Sequence, residues 1–181
     1  MIDEIMEYNR KFVENKGYEP YITSKYPDKK LAILTCMDTR LLELLPAALG
    51  IKNGDAKIIK NAGGVIVHPY GSVVRSLLVG ILELGVEEVM VIGHTDCGVQ
   101  GMDGREMLEK LVERGIDQQH IDIVRHSGID LERWLGGFES VESSVHETVR
   151  SLKEHPLMPK NVRISGFIMD SATGELTRVE A

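Results

Sequence analysis

The 181-residue sequence contains only two cysteines, one tryptophan and three phenylalanines. It has no apolar run long enough to span a bilayer, and its net charge of −7 comes with lysines and arginines scattered among the acids. These features argue against a membrane or a nucleic acid as a partner. The opening residues, MIDEIMEYNRKF, are charged and amphipathic and lack the apolar core of a secretory signal. We therefore expect a cytoplasmic protein that binds neither membrane nor nucleic acid.

With only two cysteines, Cys36 and Cys97, the sequence offers at most one disulfide within the chain. A single disulfide would suit a secreted protein, whereas metal binding or reversible redox chemistry is favoured in a chain without a secretory signal. The simplest alternative is two unrelated, reduced and buried thiols, because a free cysteine behaves as a small hydrophobic residue.

Apolar runs of strand length alternate with segments of helical period along the chain. This alternation predicts a single α/β domain over residues 1–181, with a mostly parallel central sheet flanked by helices. A final short run, ELTRV, is expected to return as an antiparallel edge strand. The predicted strands are residues 30–36, 56–61, 86–94 and 162–170, and the predicted helices include residues 72–84, 104–115 and 140–155.

The first segment, about residues 1–16, is predicted to form an amphipathic helix. Its apolar positions are Ile2, Ile5, Met6, Phe12 and Val13. A terminal helix with an apolar stripe needs a surface to pack on, and we expect that surface to belong to a partner subunit.

The two cysteines fall at the ends of predicted strands. Cys36 ends the first strand, His94 ends the third, and Cys97 follows in the loop after it. Because ligands of parallel α/β sheets bind beyond the carboxyl ends of the strands, these residues are expected to share one edge of the sheet. Thiolate and imidazole are zinc ligands, and three protein ligands leave one position open, as in catalytic zinc sites.

Asp38 and Arg40 follow Cys36 at two-residue steps and could control that open position. If Arg40 holds the carboxylate in a bidentate ion pair, the fourth position of the metal is free for water. If Arg40 releases it, Asp38 can cap the metal and block it. A surface ion pair of little energetic weight is the alternative for these two residues.

The segments TCMDTR, KNAGG and VIGHTDCG, in this order and spacing, resemble the β-class carbonic anhydrases, and most closely the small, single-domain bacterial and archaeal members. The resemblance implies reversible hydration of carbon dioxide to bicarbonate, with zinc hydroxide as the nucleophile. It implies zinc on Cys36, His94 and Cys97, with Asp38 paired with Arg40 beside the metal. It also implies a homodimer or higher homo-oligomer in which the N-terminal helix embraces the neighbouring subunit.

Three further residues enter through the same resemblance. Gly63 and Gly64 match a segment that lines the pocket of the family, where small residues allow close approach of the backbone to a ligand. Thr39 lies where the family usually has serine and keeps the hydroxyl group. The resemblance assigns no residue to orient the substrate.

Other functions remain open at the level of the sequence. Carbon disulfide or carbonyl sulfide could replace carbon dioxide as the substrate on the same scaffold. A non-catalytic zinc-binding or bicarbonate-binding protein would have Asp38 permanently on the metal. A redox protein would use Cys36 and Cys97 as a reversible disulfide.

We expect no catalytic role for three other polar residues of the sequence. Asp96, inside the His-x-x-Cys segment, is interpreted as a turn residue whose side chain accepts a hydrogen bond. His146 and His155 lie on or just after a predicted helix, so both are expected to be solvated.

Overall fold

The computed structural model describes residues 1–180, in which five strands form one sheet. The strands are β1 (Leu31–Cys36), β2 (Ala56–Asn61), β3 (Glu88–His94), β4 (Arg163–Met169) and β5 (Leu176–Val179). Their order across the sheet is β2-β1-β3-β4-β5. All neighbouring pairs are parallel except β4 and β5, which are antiparallel. The predicted α/β fold with an antiparallel C-terminal edge strand is confirmed.

Seven α-helices occur among residues 1–180. They are α1 (Ile2–Glu14), α2 (Leu44–Ala48), α3 (Ser72–Leu84), α4 (Gly104–Glu113), α5 (Gln118–His126), α6 (Leu131–Leu135) and α7 (Val141–Glu154). Helix α3 has the predicted bounds and is capped by the following residue, Gly85, whose φ of 74° is the left-handed conformation typical of a C-terminal glycine. Helix α5 was not predicted, because its polar sequence carries few apolar positions.

Helices α3 and α7 cover one face of the sheet with an apolar core. Helix α7 lies close to β3 and β4 because each of these strands has a glycine beneath it. A Cβ atom on Gly93 would lie 2.7 Å from Val141, and one on Gly166 would lie 2.7 Å from Val145. These two glycines therefore set the distance between the helix and the sheet.

The opposite face carries a second apolar cluster, which extends to the carboxyl edge of the sheet. It includes Ile33 and Ile92 from the central strands and Leu41 and Leu45 from the segment after β1. Both cysteines belong to this cluster. The chemically reactive edge is thus continuous with a rigid core.

Helix α1 lies at the periphery, and none of its residues is buried. Ile2, Ile5, Met6 and Val13 expose between 52% and 75% of their surface. The predicted packing of this helix on a partner subunit stays a prediction. Across residues 1–180, every helix is too short or too polar to cross a membrane.

The expectation that His155 is solvated is wrong, whereas His146 is exposed as expected. The chain turns after α7, and this turn carries the His155 ring inward beneath the segment that precedes α3. Both ring nitrogens have hydrogen-bond partners there: Nε2 meets the carbonyl oxygen of Pro69 at 2.9 Å, and Nδ1 meets the amide of Leu157 at 3.2 Å.

Candidate metal centre

Three donor side chains meet where β1 and β3 end. The ligand atoms of Cys36, His94 and Cys97 all lie within 4.8 Å of one another, and all three residues are buried. Cys36 is the last residue of β1, His94 is the last residue of β3, and the parallel register of the two strands brings their ends together. We call these three residues the donor cluster.

The ring of His94 is held in an orientation that leaves one nitrogen for a ligand. Its Nδ1 lies 2.8 Å from the carbonyl oxygen of Thr95, and because a carbonyl only accepts, Nδ1 carries the proton. The other nitrogen, Nε2, is buried and has no hydrogen-bond partner among residues 1–180. A buried imidazole nitrogen without a partner is costly, and a metal ion on its lone pair removes that cost.

The two thiols complete a donor set that fits zinc. The Sγ atoms of Cys36 and Cys97 are 3.9 Å apart, and both cysteines are free. This separation is a van der Waals contact, much longer than the roughly 2 Å of a disulfide bond. Burial raises the pKa of the Cys97 thiol. A bound cation reverses that effect and favours the thiolate, so two sulfurs and one imidazole match the preference of zinc.

Asp38 and Arg40 form a bidentate ion pair directly beside the donor cluster. Nε of Arg40 donates to Oδ1 of Asp38 at 3.0 Å, and Nη2 donates to Oδ2 at 2.8 Å. The backbone amide of Arg40 also donates to Oδ1, at 2.9 Å. The hydrogen bonds from the guanidinium hold the pKa of the Asp38 carboxyl far below its usual range. Oδ2 of Asp38 lies 3.8 Å from Nε2 of His94, so the carboxylate faces the cluster while paired with Arg40.

Asp96 also contacts Arg40, a contact that was not predicted from the sequence. Nη1 of Arg40 donates to Oδ2 of Asp96 at 2.8 Å, and Nη2 donates to its carbonyl oxygen at 2.7 Å. Asp96 lies in a turn as expected, with a φ of 54°, but its side chain accepts from Arg40 and not from an amide of the turn. The only signal in the sequence was the place of this acid between His94 and Cys97, on the loop after the third strand.

The glycine loop after β2 packs against the strand that carries Cys36. Gly64 has a φ of 66°, and a Cβ atom there would lie 3.0 Å from the backbone nitrogen of Cys36. Asn61 fixes the loop, because its side chain donates to the carbonyl oxygen of Val65 at 2.7 Å and accepts from the amide of Val65 at 3.1 Å. The structure therefore places Gly64 against protein backbone at the donor cluster.

Gly63 has an apolar environment. A Cβ atom there would lie 3.0 Å from the ring of Phe138 and 3.4 Å from Val99. Both side chains pack on the apolar cluster that contains Cys36 and Cys97. The pocket role expected for the two glycines stays a prediction.

Two further residues lie at this edge of the sheet. Thr39 is exposed at the start of a short 3₁₀ helix, Thr39–Leu41, which the Asp38 side chain caps. Lys60, at the end of β2, is partly buried, and burial lowers its pKa while the nearby Cys36 and Asp38 act in the opposite direction. Lys60 was not predicted from the sequence to lie near the site.

Comparison with known proteins identifies the family. The sequence profile described as carbonic anhydrase matches residues 31–176. The protein named "Putative carbonic anhydrase YtiB" from Bacillus subtilis (strain 168) is 50% identical over 176 residues, which cover 97% of this chain and 94% of that protein. The chain belongs to the β-class carbonic anhydrase family.

Two other relatives extend the comparison. The crystal structure of β-carbonic anhydrase isoform I from the protozoan Trichomonas vaginalis superposes with a TM-score of 0.88 at 34% identity, covering 99% of this chain and 97% of that chain. A carbon disulfide hydrolase of Acidithiobacillus thiooxidans is 31% identical over 158 residues, which cover 82% of this chain and 76% of that protein. The scaffold is thus shared by enzymes named for different substrates.

Proposed function

We propose that this protein catalyses the reversible hydration of carbon dioxide to bicarbonate, with zinc held by Cys36, His94 and Cys97. The observation that carries the proposal is the buried, unpartnered Nε2 of His94 beside two buried thiols. When bound, zinc supplies a Lewis acid that lowers the pKa of water and so provides hydroxide as the nucleophile. Two thiolates donate more charge than imidazoles do, so activity is expected to rise on the alkaline side of neutrality.

Asp38 has two tasks in this proposal. Because Arg40 keeps it ionised, its carboxylate only accepts hydrogen bonds. It can therefore orient an O–H group of water or bicarbonate at the donor cluster. Because Arg40 also holds it in a bidentate pair, the carboxylate is kept from becoming a fourth ligand.

The surroundings of the donor cluster suit a small, uncharged substrate. Val99 and Phe138 pack on the apolar cluster that contains the two cysteines, and both lie near Gly63. An apolar wall of this kind favours carbon dioxide over water, and the charged product is then released toward solvent. We propose that Gly63, Gly64 and Thr39 border this pocket.

The direct test is stopped-flow hydration of carbon dioxide by the zinc-loaded protein. Cys36→Ser is expected to lower both the zinc content and the rate. Asp38→Asn is expected to keep the zinc and lower the rate, because the amide cannot form the same ion pair. Zinc-loaded protein without activity above background from neutral to alkaline pH would contradict the proposal.

Carbon disulfide hydrolysis is the second candidate, and it is supported by the relative from Acidithiobacillus thiooxidans. Hydrolysis of carbon disulfide or carbonyl sulfide would use the same donor cluster and differ in which molecule reaches it. Measuring both substrates on one zinc-loaded preparation separates the candidates. The higher identity to the Bacillus subtilis relative supports carbon dioxide as the preferred substrate.

Two alternatives without hydrolytic activity predict different metal ligands or a different oxidation state of the cysteines. A capped, non-catalytic zinc protein would keep Asp38 on the metal in crystals grown at about pH 6.5 and in crystals grown at about pH 9. These two values lie on either side of the pKa range of zinc-bound water. A redox protein would contain a Cys36–Cys97 disulfide and little zinc. Metal analysis combined with thiol titration decides between these outcomes.

We also propose that the chain is a single zinc-binding domain of the cytoplasm that forms a homodimer or higher homo-oligomer. The support for assembly is helix α1, whose apolar side chains are exposed in the isolated chain. A second subunit would cover them and give the N-terminal helix the packing surface that it lacks here.

A further inference from the structure

The guanidinium of Arg40 connects two loops that are far apart in the sequence. One side of the group binds both carboxylate oxygens of Asp38, on the loop after β1. The other side binds Asp96, 56 residues away, on the loop that carries His94 and Cys97. The position of Arg40 is therefore tied to the same loop that supplies two members of the donor cluster.

The backbone conformation of Asp96 allows this contact with Arg40. Its φ of 54° is uncommon for a residue other than glycine, although aspartate tolerates it better than most. In this conformation the carboxylate oxygen and the carbonyl oxygen of one residue both accept from Arg40, at 2.8 and 2.7 Å. Two acceptors from one residue fix the plane of the guanidinium as well as its location.

We infer that Asp96 is a positioning residue that holds Arg40 so that Asp38 stays beside the donor cluster without capping the metal. The inference rests on the proposed function, since it assumes a metal at the cluster. Arg40 alone would allow the Asp38–Arg40 pair to move as a unit. Anchored to Asp96, the pair has one position relative to His94, and capping by Asp38 then requires breaking its bonds to a fixed partner.

The test uses the full chain loaded with cobalt(II), whose visible spectrum reports a change at the fourth coordination position. Iodide is titrated into the wild type, Asp96→Gly and Asp96→Asn at one pH. Glycine removes the side-chain acceptor and adopts the same backbone conformation without strain, while asparagine keeps an oxygen acceptor and also tolerates a positive φ.

Asp96→Gly is expected to need about three-fold more iodide than the wild type for half-saturation, as befits the loss of an exposed ion pair. Asp96→Asn is expected to lie between the two. Lys16→Gly is the matched control. Lys16 has a φ of 56° and lies on the loop after α1, so this substitution relieves a similar backbone strain at a site away from Arg40. The control is expected to titrate as the wild type does.

A double-mutant cycle separates positioning from a role in folding the turn. In an Arg40→Gln background, Asp96→Gly is expected to have no further effect on the iodide titration. An undiminished effect in that background, or a wild-type titration by Asp96→Gly alone, overturns the assignment of Asp96. Failure of the wild type to bind cobalt overturns the metal site itself, and with it both proposals.

Discussion

The Nε2 of His155 donates a hydrogen bond to the carbonyl oxygen of Pro69 across 86 residues of sequence, at 2.9 Å. The amide of Leu157 donates to the other ring nitrogen, so the neutral ring has a partner at each end. The ring of Tyr70 packs against the imidazole with centroids 5.4 Å apart. This contact fastens the segment between the glycine loop and α3 to the end of α7.

Replacing His155 with alanine is expected to lower the free energy of unfolding by roughly 1–3 kcal/mol, because the buried imidazole and its hydrogen bond to the carbonyl oxygen of Pro69 are both lost. His146→Ala, on the exposed side of α7, should change it by less than about 0.5 kcal/mol. Urea unfolding followed by circular dichroism measures both. Equal effects of the two substitutions would show that the contact with Pro69 adds nothing to stability.

Gly64→Ala is expected to destabilise the protein more than Gly50→Ala does. The two glycines have similar φ values, 66° and 63°, so each alanine costs about 1–2 kcal/mol in backbone strain. A Cβ atom at Gly50 would contact nothing within 4 Å, whereas one at Gly64 would press on Cys36 and add roughly 1–3 kcal/mol. Zinc affinity should fall only in Gly64→Ala. Identical unfolding curves for the two variants would contradict the close approach at Gly64.

Zinc is expected to raise the melting temperature of the metal-free protein. A ligand at about 1,000 times its dissociation constant stabilises the folded state by about 4 kcal/mol. Cys97→Ser should lose most of this gain because one donor of the cluster is replaced by a poorer ligand. Thermal scans with and without zinc, in the presence of a reductant, make the measurement. A full gain in Cys97→Ser would place the binding site elsewhere.

Ile5→Glu is expected to convert the assembled protein to smaller species. Ile5 exposes 62% of its surface in the isolated chain, and a carboxylate there would be buried against a second subunit. Lys11→Glu places the same residue on the charged side of α1, where it replaces an exposed ion pair with Glu7 by a weak, solvent-screened like-charge contact. Sedimentation velocity should distinguish the variants. An unchanged sedimentation coefficient for Ile5→Glu would rule out α1 as the interface.

Acidification is expected to weaken the turn between β4 and β5. Hydrogen bonds from the amides of Thr173 and Ala172, with one from the Thr173 hydroxyl, lower the pKa of the Asp170 carboxyl in the folded state. A depressed folded pKa contributes stability above the unfolded value of about 3.9, and that contribution disappears as the pH falls through the folded value.

The stability difference between the wild type and Asp170→Asn should therefore be constant near neutral pH and shrink below about pH 4. Chemical unfolding of both proteins across this range measures the difference. A difference that grows on acidification would have the wrong sign for a carboxylate stabilised by hydrogen bonds.

Much of the fold was predictable because the apolar runs in the sequence coincide with the buried strands of the sheet. The apolar run that ends at Cys36, and the run that ends at His94, are buried strands of a parallel sheet, and such strands meet at one edge. The convergence of Cys36 and His94 follows from that rule, and Cys97 joins them from the short loop directly after β3.

The contacts of Asp96 and His155, which the sequence does not reveal, depend on loop conformation. Asp96 reaches Arg40 only because its backbone takes a positive φ, and no periodicity signals that choice. His155 is buried because the chain turns inward after α7, which a helical pattern ending in proline does not reveal. Lys60 borders the donor cluster through its place at the end of β2, beside β1.

The parallel pairing of β1 with β3 has a kinetic consequence for the donor cluster. Cys36 and Cys97 are 61 residues apart, and the chain between them carries β2 and the crossover helix α3. Contacts between residues so far apart in sequence are expected to form late in folding. Closing the intervening loop costs entropy, and the favourable free energy of the contacts is gained only afterwards. During synthesis, a ribosome-bound chain cannot hold a metal on three donors until Cys97 has left the exit tunnel. A metal held by all three donors is therefore expected to require that the ends of β1 and β3 have come together.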